Sequence, residues 1–506
     1  MESAVLRTGD LITIVTYLVG MVVLGFFCAR RVRTTEGYFV GGRAMPGWAV
    51  GLSMLATAIS SITFLAYPGS AYAGNWSLLV PGLMLPIAAF FGIKIFVPFY
   101  RKAMLVSAYQ YLERRFGTLG RVYACLVFST LSIWRMAIVL FLLALPIKTL
   151  TGWESDTTIL VCGVVVTTYT VMGGIQAVVW IDVVQGILLM LGGLVTIATV
   201  FVTVPGGPLE IFREGWAARK FNLGVSFEWD FCKMTLWVLV LNGLIGNLQE
   251  FSSDQTKVQR YCAAKTTQAA QRAAWVCGLG CIPVWVMFMF VGTCLFVYYQ
   301  NFPDRLASGL RADEIFPHFI LTQMPSGLGG LVVAAVMAAA MAIDSSMNAT
   351  ASVLTKDIYE NLYFPGKTDK HYLIVGIVIS AILGLCMVLG ALLLTTIQRS
   401  TILEIAFIIG AICTGGLGGF VFLGFFSTRA NGRGAAVGVI YALILIVYLT
   451  LSELGALPEN LKAPLHPFLI GVVGNVTSLL IGYLASFHFP APRREDLRDL
   501  TYWTTG

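Results

Sequence analysis

Charge is scarce in this sequence. Of 506 residues only 12% are Asp, Glu, Lys or Arg, about half the share of a soluble globular domain. Histidine is scarcer still: His318, His371, His466 and His488 are scattered at the ends of apolar segments. The ten cysteines lie mostly inside apolar segments, singly or as the spaced pair Cys277 and Cys281. No Cys-x-x-Cys and no Cys/His cluster occurs, so neither a disulfide framework nor a thiolate–imidazole metal centre is indicated. No Ser/His/Asp grouping and no HxxxH pattern is visible, which leaves an enzyme without its usual constellations. There is no low-complexity segment and no soluble domain. The longest outer connections, 205–231 and 300–326, are too short for one, and the tail 489–506 is too short for the signalling module of a sensor. The net charge of +7 comes from short loops between helices and is not a nucleic-acid signature.

What the chain has is apolar length. It is 57% hydrophobic with a mean hydropathy of +0.81, and runs near 20 residues, each able to span a ~30 Å hydrocarbon core, recur from end to end. A membrane barrel would need ~10-residue alternating segments, and none is seen. An all-α polytopic membrane protein follows, embedded in a lipid bilayer. Thirteen spans are expected: roughly 9–29, 47–73, 77–100, 121–149, 157–173, 179–204, 232–250, 273–299, 327–356, 371–396, 400–427, 434–452 and 467–488. The first is followed by "RRVR" rather than preceded by positive charge, so it reads as a retained helix and not a signal peptide. Lys and Arg concentrate in 30–46, 101–120, 251–272, 357–370, 428–433 and 489–506. The positive-inside rule then places the N-terminus outside and the C-terminus in the cytoplasm.

Polar side chains inside the bilayer are costly and usually face a cavity or a partner. In "ATAISSITF", Thr57, Ser60, Ser61 and Thr63 cluster in one span. Either the helix unwinds there and offers carbonyls to a cation, or small residues pack helices closely. Arg135 lies mid-span in "LSIWRMAIVLF", about ten residues from the nearest end and too far to snorkel. A guanidinium facing a cavity is a planar fork for a carboxylate. Asp182 in "WIDVVQG" is either an oxygen ligand for a hard cation or an acid at a helix N-terminus. "AAAMAIDSSMNATAS" (338–352) places Asp344, Ser345, Ser346, Asn348 and Thr350 in one span. Asp344 and Asn348 share a face, as do Ser346 and Thr350. "NLQEFSSDQTKVQRYCAAK" (247–265) reads as a polar span end running into a basic loop.

Four stretches, "YFVGGRAMPGWAVGLSMLATAISSITF", "YTVMGGIQAVVWIDVVQG", "SSDQTKVQRY" and "MNATASVLTKDIY", carry a resemblance to the sodium:solute symporter family over nearly the whole chain. Within it the chain looks closest to bacterial sialic acid transporters, through "SSITF" with "YPGSAYAGNW", the "SAYQYLERRFG" loop and Arg135. The resemblance implies a LeuT-type fold with two inverted five-helix repeats, at 47–230 and 231–452. Residues 1–46 supply an extra helix and loop, and 453–506 the last helix and tail. It implies sodium-coupled uptake of an organic anion by alternating access at the plasma membrane, with Na+ as coupling ion and a monomer as the working unit. A proton-coupled or differently specific transporter is the alternative.

Position by position, the resemblance places backbone carbonyls of Ala56, Ile59 and Ala338 at the family's common sodium site. The two consecutive hydroxyls of that site fall at Met341 and Ala342, which removes two oxygen ligands; a thioether suits sodium poorly. A second cation set comprises Asp182, Asp344, Ser345 and Ser346. Substrate contacts are Ser60, Ser61, Thr63, Arg135 and Asn247. Ala58 stands where a threonine is usual and Gly82 where a glutamine is. The carboxylate anchor is therefore kept while contacts to the rest of a sugar acid are reduced.

Overall fold

A chain that crosses lipid must satisfy its backbone N–H and C=O groups within each segment, which leaves helices as the solution for a sequence of this pattern. The computed structural model describes residues 8–30, 32–59, 61–396 and 416–504; among them the regular structure is helical, with two isolated bridges. We number the principal helices α1 Thr8–Ala29, α2 Gly47–Ala58, α3 Ser61–Ala73, α4 Leu79–Lys102, α5 Thr118–Thr151, α6 Ser155–Thr203, α7 Leu236–Ser253, α8 Gln255–Ala263, α9 Thr267–Asn301, α10 Leu328–Met341, α11 Asp344–Val353, α12 Asp369–Thr395, α13 Leu417–Phe426, α14 Gly432–Glu453 and α15 Ile470–Ala485. Nine helical stretches among the described residues are long and apolar enough to cross a membrane. Large apolar side chains on the outside, such as Val202, Leu393 and Ile444, are exposed as a lipid-facing surface requires.

Three interruptions shape the interior. Between α2 and α3, Ile59 turns extended (φ −98°, ψ 101°) while its N–H still reaches the Leu55 and Ala56 carbonyls at 3.2 Å. Between α10 and α11, the chain turns at Ala342 (ψ 3°) and Ile343 (ψ −18°). The third divides the 49 helical residues of α6, which hold the expected segments 157–173 and 179–204, into two helices at a kink. A straight helix of that length would run about 74 Å, more than twice a ~30 Å core, so the chain turns within it. It does so at Gly174 (φ 53°, ψ −146°), where a Cβ would lie 2.4 Å from the Tyr38 carbonyl oxygen. Only glycine tolerates that backbone at that contact.

α6 packs against α1, α2, α10 and α12, while α9 packs against α2 and α3. The first helix is tied in through Asp10, whose Oδ1 accepts from the N–H groups of Gly327 and Gly330, both at 2.7 Å. An acid there satisfies orphan donors at the start of α10 and complements its dipole.

One departure concerns 251–272, expected as a basic loop. Its first part is the helix α8, and every residue from Gln255 to Ala263 is buried, Lys257 and Arg260 included. Two of the positive charges counted for orientation therefore point into the protein.

Near the start of α5, Arg121 Nε donates to Asp357 Oδ1 at 2.7 Å, and the same guanidinium binds Glu113. Asp357 is fully buried and follows α11. Replacing Arg121 by alanine strands a buried carboxylate, expected to cost about 3–5 kcal/mol. Glu113→Gln, at a partly exposed partner, is expected to cost about 1 kcal/mol or less. Thermal unfolding of the purified variants in detergent checks the order.

Candidate functional site

The two helix breaks face a common cavity of about 450 Å³. α2 contributes Thr57 and Ala58, α5 contributes Trp134, Arg135 and Ile138, and α9 contributes Trp285. The α10–α11 break contributes Ala339, Ala342, Ile343 and Ser346, and α7 contributes Asn247 and Glu250. Arg135 is exposed to this space in the middle of an apolar helix. Among the described residues its hydrogen bond is to Ser346 Oγ, at 3.0 Å. Ser346 thus meets the guanidinium rather than the carboxylates with which the sequence reading grouped it. One contact leaves most of the five donors of an arginine available.

At the other end, where α7 meets α8, the polar groups satisfy one another. Lys257 pairs with Glu250 at 2.6 Å, and Asp254 Oδ1 accepts from the Thr256 N–H at 2.7 Å. Asn247 Nδ2 donates to the Pro81 carbonyl at 3.3 Å.

Thr57 joins the cavity to a second, enclosed cluster centred on Arg260, which is 1% exposed. Arg260 Nε donates to Ser53 Oγ at 2.7 Å. Its Nη2 donates to Thr57 Oγ1 at 2.9 Å, to Asp182 Oδ2 at 2.7 Å and to Ser345 Oγ. Its Nη1 reaches the Thr256 carbonyl at 2.8 Å. Ser53 Oγ also donates to Asp182 Oδ2 at 2.5 Å. Asp344 lies beside this set: Ser345 Oγ stands 3.3 Å from both Asp182 Oδ2 and Asp344 Oδ1, and Asp344 Oδ1 accepts from the Ser345 N–H at 2.5 Å.

Two fully buried carboxylates therefore lie by one guanidinium, which pairs with Asp182. Asp182 Oδ1 and Asp344 Oδ2 are buried with no hydrogen-bond partner, as is Gln185 Oε1 one helical turn from Asp182. Unpartnered buried oxygens carry a large desolvation cost. Oxygen atoms of this kind are what a small hard cation takes as ligands.

Of the other expected positions, Ala56, Ile59 and Ala338 are buried at or near the two breaks. Met341 and Ala342 bring no side-chain oxygen. The Met341 sulfur accepts from Tyr17 at 3.6 Å, and its carbonyl accepts from Tyr169 at 3.4 Å. Ser60 lies outside the described residues, and Ser61 opens α3. Thr63 is buried and does not line the cavity. The sequence reading missed Arg260, Ser53 and Gln185. The signal for Arg260 was indirect: two aspartates in apolar spans need a cationic partner, and "KVQRY" holds the nearest unassigned ones.

A family model for the sodium:solute symporter family matches residues 38–442. The sodium/sialic acid symporter SiaT of Proteus mirabilis is 32% identical over 488 residues, covering 96% of each chain. The sodium/sialic acid symporter NanT of Aliivibrio fischeri is 31% identical over 96% of this chain and 94% of its own. A solved Na+-coupled sialic acid symporter, in a substrate-bound outward-open state with a novel Na+ site, superposes with a TM-score of 0.89 at 31% identity, over 96% of this chain and 99% of its own.

Arg260→Gln frees Asp182 of its only ion-pair partner among the described residues. In sodium-free buffer it is expected to lose about 3–5 kcal/mol of stability. Added sodium chloride should restore more stability to this variant than to the unaltered protein, because a cation then enters the vacated place. Melting curves in sodium chloride against choline chloride measure this.

Proposed function

We infer that this chain, which belongs to the sodium:solute symporter family, imports an organic anion together with sodium by alternating access. The observation that carries the reading is an exposed guanidinium, Arg135, in a cavity joined through Thr57 to two buried carboxylates. Arg135 anchors the carboxylate of the substrate by charge-assisted, fork-like hydrogen bonds. Asn247 lines the same space, and Ser60, Ser61 and Thr63 are kept as substrate contacts on the resemblance to the family. Sialic acid or a related sugar acid is the substrate class of the relatives and the first to be tried.

The cation is assigned to the enclosed cluster. Arg260 balances one of Asp182 and Asp344, and the other lacks a cationic partner among the described residues. One sodium ion at Asp182 Oδ1, Asp344 Oδ2 and Ser345, with carbonyls of Ala56, Ile59 or Ala338 if the breaks close on it, neutralises the site. A second reading, a proton on Asp344 in place of sodium, has one observation in its favour: the missing hydroxyls at Met341 and Ala342.

Around these sites we assign thirteen spans. Two inverted five-helix repeats occupy 47–230 and 231–452, an extra helix and loop 1–46, and the last helix and tail 453–506. The helix breaks in α2–α3 and α10–α11 support that assignment, since such repeats place their sites at broken helices. The chain is placed in the inner (plasma) membrane with its N-terminus outside. Both sites are built from one chain, which supports a working monomer.

Arg135→Ala is expected to reduce sodium-driven uptake of the anionic substrate into proteoliposomes by about 10- to 100-fold, the worth of a charge-assisted contact. Uptake at the unaltered rate by a properly inserted variant would sink the carboxylate anchor.

A further inference from the structure

We propose that a crevice on the outside of the helix bundle holds one anionic phospholipid, with an acyl chain along α14 and the phosphate on Arg433. The site is separate from the substrate cavity and does not depend on which solute or ion the chain carries.

The crevice encloses about 740 Å³ beside the start of α5, α13 and α14. Arg433, Ala436, Ile440 and Leu443 line it from α14. Their spacing of three and four residues is that of one helix face. From Arg433 to Leu443 this face runs about 15 Å, the depth of one leaflet of a ~30 Å core. Leu119 and Tyr123 of α5 form another wall, and Phe420 of α13 stacks on Phe116 with ring centroids 4.9 Å apart. Leu119 and Ile440 are exposed, so the crevice opens towards lipid rather than into the bundle. Burial of a hydrocarbon chain against such walls is favourable in proportion to the carbon surface covered.

The polar end selects the occupant. Arg433 is the one charged side chain among the described lining residues. It is exposed and has no ion pair or hydrogen bond among the described residues. Asn431 beside it is engaged, donating to the Ser486 carbonyl and accepting from the Gly434 N–H. The connection 427–433 carries Arg429 and Arg433 and no acid. Arg429 Nη2 donates to the carbonyls of Phe487 and Phe489, at 3.3 and 2.9 Å, which ties Phe489 into the crevice wall. The depth of this end is marked independently. Trp503 Nε1 donates to the Phe426 carbonyl at 2.8 Å, and the Tyr502 N–H to the Phe425 carbonyl at 2.9 Å, with both rings exposed. Exposed Trp and Tyr rings gather at the headgroup level of a bilayer, so the connection leaves α13 at that level. A phosphate diester supplies the missing negative charge there, in a geometry that a guanidinium fork fits. A zwitterionic headgroup brings its own cation and gains less.

Native mass spectrometry of the full chain in mild detergent tests the site, with phosphatidylglycerol and phosphatidylcholine of identical acyl chains as probes. We expect one phosphatidylglycerol to bind about fivefold more tightly, the effect of one arginine at an anionic headgroup. Arg433→Gln should bring the two lipids to equal affinity. Ala436→Trp fills the crevice and should weaken both about tenfold through lost apolar contact. Both positions are exposed, so unchanged melting temperatures are expected for the two variants. Equal binding of the two lipids by the unaltered protein would overturn the proposal, as would a preference for phosphatidylglycerol that survives both substitutions. A dimer that Ala436→Trp dissociates would overturn it too, because the crevice would then belong to a second copy.

Discussion

The guanidinium of Arg260 holds together four helices that otherwise have reason to separate. It reaches from α8 to Ser53 and Thr57 on α2, Asp182 on α6 and Ser345 on α11. A buried ion pair of this kind adds little net stability compared with apolar packing, yet losing one partner is costly. It therefore fixes arrangement more than it deepens the energy well. Everything polar in the interior is placed relative to it: Thr57 at the cavity wall, Asp182 with one oxygen engaged and one bare, Asp344 just beyond Ser345.

The bare oxygens follow from counting charges. One buried guanidinium cannot serve two carboxylates, and both carboxylates are fully buried. A monovalent cation, supplied from solution, completes the set. In the cavity Arg135 meets a serine, while Lys257 is paired with Glu250. A cation answers the charge left over in the cluster and a carboxylate the free donors of Arg135, and Thr57 touches both regions. Broken helices make such sites inexpensive to rearrange, since few backbone hydrogen bonds need to change when a break opens or closes.

Much of this was legible in the sequence, and for one reason: charge inside a bilayer is rare enough to be conspicuous. Arg135, Asp182 and Asp344 stood out in apolar runs and lie at the cavity or the buried cluster. The helix break at Ile59 was legible as a run of small and hydroxyl residues. Arg260 was not, because "SSDQTKVQRY" has the composition of a solvated loop, and only the fold turns its face inward. The same segment misled the charge count used for orientation. The turn at Gly174 was legible as the gap between the apolar runs 157–173 and 179–204. The close approach of the Trp285 ring to Gly82 joins residues 203 positions apart and has no local signature.

The central claim is that Asp344 is the carboxylate left for the coupling ion. Equilibrium binding of radiolabelled sodium to the purified protein and to Asp344→Asn tests it without knowledge of the substrate. Saturable binding by the unaltered protein, lost or weakened about tenfold or more in the variant, is the predicted result. Equal sodium binding by both proteins would contradict it, as would an unaltered protein that binds no sodium.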